Sequence, residues 1–235
     1  MEIPSLSRPW GLAVVVTLGG MLLVEQSFPL WGQMGASVLT WVMVFLIARS
    51  WTLAQRLPLV LCVAIATAGE IFLSLVWGLY EYRLGNIPLY VPPGHVLMFL
   101  LGLTLARRVP RAIVFWVPAI ATPYFVWGAF TGHDEFGLVL LAVFLISLWI
   151  GGDRRLYSVM FVQSLALELW GTHVGAWRWA AEVPWMGLSS TNPPYASGAF
   201  YAALDLLVLF ALPPVLRRMT DSPGDGEALP SSVKA

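Results

Sequence analysis

Three carboxylates, Glu70, Glu168 and Asp205, stand inside long apolar stretches of the chain. A charged acid at mid-bilayer costs about 2.5–3.5 kcal/mol on insertion scales, so such groups usually face a bundle interior and mark functional sites. Helical spacing gives each acid a furnished face. Glu70 and Trp77 stand at i, i+7. Glu168, Thr172 and Gly175 share a face whose small residues leave room beside the carboxylate. Ser197, Tyr201 and Asp205 place hydroxyls above the third acid. All three faces are expected to point into the same half of the bundle. Apolar surroundings favour a neutral carboxyl, and a neutral buried acid can protonate an unactivated alkene while a second carboxyl serves as base. Glu70, Glu168 and Asp205 are therefore the candidate catalytic residues. Glu70 or Glu168 would be the general acid, and the other of the two, or Asp205, the base.

Two loops flank these acids, one from Trp77 to His95 and one from Trp170 to Tyr195, and they resemble each other. Gly78-x-Tyr80-x-Tyr82 parallels Gly175-x-Trp177-x-Trp179. Glu70 precedes the first motif as Glu168 precedes the second. Pro88 matches Pro184, and Pro92-Pro93 matches Pro193-Pro194. The offset corresponds to four spans, which implies a parallel 4+4 internal repeat about an axis along the membrane normal. Aromatic side chains at these places anchor membrane proteins at the interface. Their faces also attract cations, by about 2 kcal/mol or more when desolvated. A reaction passing through a carbocation would use such a wall. Trp77, Tyr80, Tyr82, Trp177 and Trp179 are thus candidate substrate-binding residues, with Asn192 and Tyr201 beside them. His95 and His173 join them as candidate proton carriers, because histidine titrates near neutrality.

The elements that position these residues follow from composition. Of 235 residues, 58% are hydrophobic and 11% charged, against about 25% charged in an average soluble domain. Mean hydropathy is +0.76. A soluble globular domain and a disordered chain are excluded. The 13 basic and 13 acidic side chains cancel, which leaves no basic face for a nucleic acid. A single cysteine, Cys62, excludes an internal disulfide and a cysteine metal cluster. Apolar runs are expected to span at 10–26, 31–48, 58–79, 92–106, 112–131, 137–151, 157–176 and 197–216. Two of these runs are short, so the count is eight or seven. Unpaired backbone groups are not tolerated in hydrocarbon, and the runs lack period-2 alternation, so the spans are helices. The expected fold is an all-α polytopic membrane bundle over 1–219, with a disordered cytoplasmic tail over 220–235.

No convincing cleavage site follows the first span before Glu25, so that span is read as retained. Arg8, Arg49, Arg56, Arg107, Arg108, Arg111, Arg154, Arg155, Arg217 and Arg218 fall on one side of this topology. Only Arg83 and Arg178 fall on the other. That asymmetry places both termini in the cytoplasm, with the protein in the cell (inner) membrane. His133-Asp134-Glu135 reads as a solvated turn. There is no Walker loop, no dinucleotide Gly-x-Gly-x-x-Gly, no haem motif and no histidine box, so neither a cofactor nor a metal is expected.

Gly78-Leu-Tyr-Glu-Tyr82, followed by Asn-Ile-Pro-Leu-Tyr-Val-Pro92, resembles a segment of the membrane-bound carotenoid 1,2-hydratases of the bisanhydrobacterioruberin hydratase type. That family carries Gly-x-Tyr-x-Tyr and then Val-Pro-Leu-x-x-Pro. Gly175-Ala-Trp-Arg-Trp179 resembles its later Gly-x-Trp-x-Trp segment. Two features differ: the spacer from Tyr82 to Pro88 is shorter, and Ser-Leu-Val-Trp-Gly stands where the family has Gly-Phe-Pro-Phe-Gly. A weaker similarity, to small membrane-integral terpene cyclases, would set Glu70 and Asp205 in the places of an early and a last acid. Both resemblances imply acid-catalysed attack on an isoprenoid double bond, as hydration, cyclisation or isomerisation. The leading expectation is therefore a membrane-embedded enzyme whose partner is a hydrophobic lipid or isoprenoid substrate. A small-molecule or lipid transporter or binding protein is the alternative, and an accessory subunit the third.

Overall fold

A computed structural model describes residues 3–221, with side chains through 215. The expected tail over 220–235 lies outside the described residues from 222 onward. Eight α-helices dominate the described residues: α1 (Arg8–Ser27), α2 (Pro29–Ala48), α3 (Leu53–Glu70), α4 (Val91–Ala106), α5 (Ile113–Phe130), α6 (Glu135–Ile150), α7 (Arg154–His173) and α8 (Gly198–Asp221). Among the described residues, five segments are long and apolar enough to cross a membrane: Arg8–Ser27, Pro29–Ala48, Leu53–Val76, Ile113–Phe130 and Gly198–Val215. α4 and α6 have 16 residues each, about 24 Å of helix against roughly 30 Å of hydrocarbon.

Local chemistry sets the helix ends. Thr52 and Gln55 form a reciprocal capping box at α3. Asp153 caps α7 through the Leu156 N–H. Prolines open α1, α2 and α4, where a missing N–H costs nothing. Hydroxyls of Thr40, Thr104, Ser147 and Ser158 donate to carbonyls one turn back, which satisfies these four donors within the apolar interior.

α3, α4, α7 and α8 form the inner ring, α3 packing on α4 and α8, and α7 on α8 and α4. The α1–α2 pair lies outside α4, and the α5–α6 pair outside α7 and α8. α4 is buried along nearly its whole length, as its all-round apolar sequence requires. Large apolar side chains including Phe45, Ile120, Phe130 and Trp149 instead face outward. A surface of that kind suits hydrocarbon and not water.

The all-α expectation needs two amendments. First, α3 does not run unbroken to residue 79. After Glu70 the chain widens into a π-helical segment, Ile71–Val76, closed by the Trp77 N–H on Phe72 O at 2.7 Å. Such segments recur at functional sites. Second, the loops carry two small antiparallel ladders. β1 (Tyr80–Tyr82) pairs with β2 (Trp177–Trp179), and β3 (Glu182–Val183) with β4 (Leu188–Ser189). In the first ladder Tyr80 opposes Trp179, Glu81 opposes Arg178 and Tyr82 opposes Trp177. The expected solvated turn at His133-Asp134-Glu135 is also corrected. Asp134 is fully buried, caps α6 through the Gly137 N–H and accepts the Tyr195 N–H at 2.6 Å. Glu135 holds Ser189 in β4.

Candidate active site

Residues alternate across a strand, so in β1 the rings of Tyr80 and Tyr82 turn inward while Glu81 faces out. Both tyrosine hydroxyls donate to one oxygen of Glu70, Tyr80 at 2.9 Å and Tyr82 at 2.7 Å. The other Glu70 oxygen lies 3.3 Å from Nε2 of His95 in α4. β2 repeats the arrangement for Glu168 in α7. The indole N–H groups of Trp177 and Trp179 donate to Glu168 Oε2 at 2.8 and 3.0 Å, and the Tyr201 hydroxyl of α8 donates to Oε1 at 3.2 Å. His95 and Tyr201 stack with ring centroids 4.7 Å apart. Burial, reinforced by the adjacent Glu70, pushes the Tyr80 and Tyr82 hydroxyls well above the ordinary tyrosine range. Both therefore remain protonated donors.

The motif glycines make this geometry available. Gly78 and Gly175 both hold the left-handed backbone, at φ +75° and +69°, which glycine adopts without strain. Gly171 lies against the six-membered ring of Trp177, and a Cβ there would overlap that ring.

Both acids line one cavity of about 470 Å³. Its wall is mostly apolar, with Leu18, Met21, Met98 and Leu204 completing it around the aromatic end. Three of its lining residues, Ala68, Phe72 and Leu207, are exposed on the outer surface. All three belong to α3, its π-helical continuation and α8, so the chamber has its mouth on the apolar flank between those helices.

The structure thus brings together Glu70, Glu168, Tyr80, Tyr82, His95, Trp177, Trp179 and Tyr201. It does not bring in the other four candidates. Asp205 is buried, its two oxygens have no hydrogen-bond partner, and its electrostatic neighbours are Asp153, Cys62 and Tyr157. Four residues turn a helix about 40° past a full revolution, and Asp205 leaves the chamber wall that Tyr201 lines. Trp77 instead ties the two loops together, donating to Pro184 O at 2.7 Å and stacking on Trp185 at 5.6 Å. His173 is exposed and stacks on Trp170. Asn192 is exposed and accepts the Trp179 backbone N–H at 2.9 Å, holding β2 from outside.

Two polar residues at the chamber edge escaped the sequence reading. Tyr90 lines the cavity, and its hydroxyl donates to Glu25 of α1 at 2.8 Å. Glu25 is fully buried. Its signal was available, since it is an acid inside the apolar span 10–26, near that span's end. Among the described residues, no three His, Cys, Asp or Glu side chains gather as a metal-ligand set. Compared with known proteins, the chain matches no family model, no curated protein and no solved structure.

Proposed function

We propose that this protein is a membrane-embedded enzyme that protonates an alkene of an isoprenoid or similar lipid, with Glu70 and Glu168 as the working carboxyls. The observation that carries the reading is the pair itself: two buried acids, each fitted with its own donors, facing one apolar chamber with a lipid-side mouth. A small polar site with two coupled carboxyls at the end of an apolar slot suits proton transfer to an apolar substrate.

The donor types divide the roles. An indole N–H can only donate, so two indoles fix Glu168 Oε2 as an acceptor. The partners of Glu70 are two hydroxyls on Oε2 and an imidazole on Oε1, and the imidazole can hand Oε1 a proton. Glu70 is therefore the proton donor and Glu168 the carboxylate that faces the developing cation. Proton transfer from Glu70 to one alkene carbon leaves the cation on the other, against the faces of Trp177, Trp179 and Tyr80. Glu168 then deprotonates an attacking water, which yields an alcohol, or removes a proton from carbon, which yields a shifted or cyclised alkene. The resemblance to carotenoid hydratases favours an isoprenoid chain.

Matching hydrogen bonds on Glu70 and Glu168, the two left-handed glycines and the antiparallel register of β1 with β2 support descent from a duplicated four-helix unit. The arginine distribution supports an outer-facing site and cytoplasmic termini, with eight spans.

The test is lipid profiling of cells carrying the native protein, Glu70→Gln or Glu168→Gln. Loss of a hydrated or rearranged isoprenoid in both variants supports the reading. Undiminished product in both overturns it, and lipid that binds unchanged at the chamber would then favour a binding or transport role.

A further inference from the structure

An acid that gives its proton to carbon must recover one from water, and the proposed donor, Glu70, lies deep in an apolar chamber. Among the buried polar atoms without a hydrogen-bond partner are Oε1 of Glu25 and Nδ1 of His95. Tyr90 stands just before α4, the helix that carries His95. It lines the chamber that His95 lines, and it donates to the second oxygen of Glu25. Outward of Glu25 stands Gln33, buried, whose side-chain amide pairs with that of exposed Asn86 at 3.0 Å. Arg83 closes the flank by donating to the Glu25 backbone carbonyl at 3.1 Å. Polar groups thus run from the surface, past Gln33, to Glu25, Tyr90 and the chamber.

The surroundings of Glu25 differ from those of the other buried corner acid. At the corresponding corner between α5 and α6, the buried acid is Asp134, which accepts backbone N–H groups of Gly137, Thr191 and Tyr195. Glu25 caps nothing: α2 starts at Pro29, and its N-cap, Phe28, has no side-chain cap. An unpaired buried carboxylate oxygen is costly, and its retention beside a hydroxyl that opens on the chamber calls for a function.

We propose that Glu25, acting through the Tyr90 hydroxyl, is the proton inlet of the chamber and recharges Glu70 by way of His95. This inference rests on the acid-catalysis reading for its purpose. Glu25 takes a proton from water on the Asn86 side. The Tyr90 hydroxyl turns inward, accepts the Glu25 proton on its oxygen and releases its own into the chamber. His95 takes that proton on Nδ1 and passes the one on Nε2 to Glu70 Oε1. One proton enters, one reaches Glu70, and Glu25 is left as the carboxylate. Glu25 and Tyr90 act on Glu70 only through His95.

The experiment is hydrogen–deuterium exchange of the Glu70 carboxyl in the full chain in detergent, read from its infrared carbonyl band at acidic pH and identified by its absence in Glu70→Gln. Glu25→Gln and Tyr90→Phe are each expected to slow that exchange by about tenfold or more, while His173→Gln leaves it unchanged. Tyr90→Phe keeps the ring and decides alone if Glu25→Gln does not fold. Exchange within about twofold of native in Tyr90→Phe overturns the inlet. Lipid product separates the two claims. If Glu70→Gln abolishes product but exchange is unaltered in Tyr90→Phe, only the inlet falls. If exchange slows but Glu70→Gln keeps full product, the acid-catalysis reading falls and the inlet stands.

Discussion

Tyr80 sits opposite Trp179 across the β1–β2 ladder, ring centroids 4.7 Å apart, and the two side chains serve different acids. The Tyr80 hydroxyl reaches Glu70 at 2.9 Å and the Trp179 indole N–H reaches Glu168 at 3.0 Å. Two of the ladder's three residue pairs, Tyr80–Trp179 and Tyr82–Trp177, therefore orient two carboxyls that belong to separate helices. A shift of one residue in that register would turn every ring outward. The ladder is short, yet it is what makes one chamber from two half-sites.

Trp179→Phe keeps the aromatic face and deletes one donor to Glu168. A hydrogen bond to a charged group is worth about 1.5–3 kcal/mol, so product formation should fall by roughly 10- to 100-fold. Asn192→Ala, which removes only the acceptor of the Trp179 backbone N–H, should cost less. Product yields from the two variants in the same lipid assay check the order. Equal losses would mean that the ladder's position, and not the indole donor, matters.

Gly171→Ala places a methyl group against the ring of Trp177. Overpacking of this kind costs about 1–3 kcal/mol. The melting temperature in detergent should drop, and tryptophan emission should shift as Trp177 leaves Glu168. Gly35→Ala, where a Cβ meets nothing, should leave both unaltered.

Much of this site was legible because charge in oil is conspicuous and because period-2 aromatic motifs next to an acid are rare. Glu70, Glu168, Tyr80, Tyr82, Trp177 and Trp179 carried that signal. Asp205 carried the same signal and lies elsewhere, because helical spacing gives a face but not the neighbour that the face meets. His173 and Trp77 sit at helix ends, where the rotation of the last turn decides between chamber and surface. The π-helical turn after Glu70 leaves no sequence mark, since it depends on where β1 must land. Glu25 and Asp134 lie near turns, where acids are usually solvated, and only the packing of the α1–α2 and α5–α6 corners buries them.

Asp205 has no partner for either oxygen and is absent from the chamber wall. Asp205→Asn should therefore leave product formation within about threefold of native, unlike Glu70→Gln. Replacing it with leucine removes a buried polar group that lacks a hydrogen bond, and stability should rise by roughly 1–3 kcal/mol. A melting curve and one product assay on each variant test both statements. A lost product with Asp205→Asn would return this acid to the reaction.

Burial pushes the Asp134 carboxyl above its ordinary range, and the N–H donors of Tyr195, Gly137 and Thr191 oppose that shift. The folded state then holds this proton more tightly than the unfolded chain. Stability falls as pH rises from the unfolded value toward the folded one, and is flat above it. In Asp134→Asn that slope should vanish. The amide N–H₂ would also confront backbone donors, which costs about 1–3 kcal/mol. Chemical denaturation of both proteins across acidic pH reads the slope and the offset together.

The mouth between α3 and α8 makes a last, separate claim, because Leu207 is both exposed and part of the chamber wall. On the proposed function, a substrate arriving from the bilayer must pass it. At about 470 Å³ the cavity holds a drug-sized ligand, so a long chain would leave its remainder in the lipid. Leu207→Trp should block that passage and lower conversion of long-chain substrate by about tenfold or more. Phe210, exposed on the same helix but absent from the wall, supplies the control: Phe210→Trp should convert substrate at the native rate. Short isoprenoids that partition into water should be less affected by Leu207→Trp than long ones. Equal inhibition of short and long chains would place the access route elsewhere.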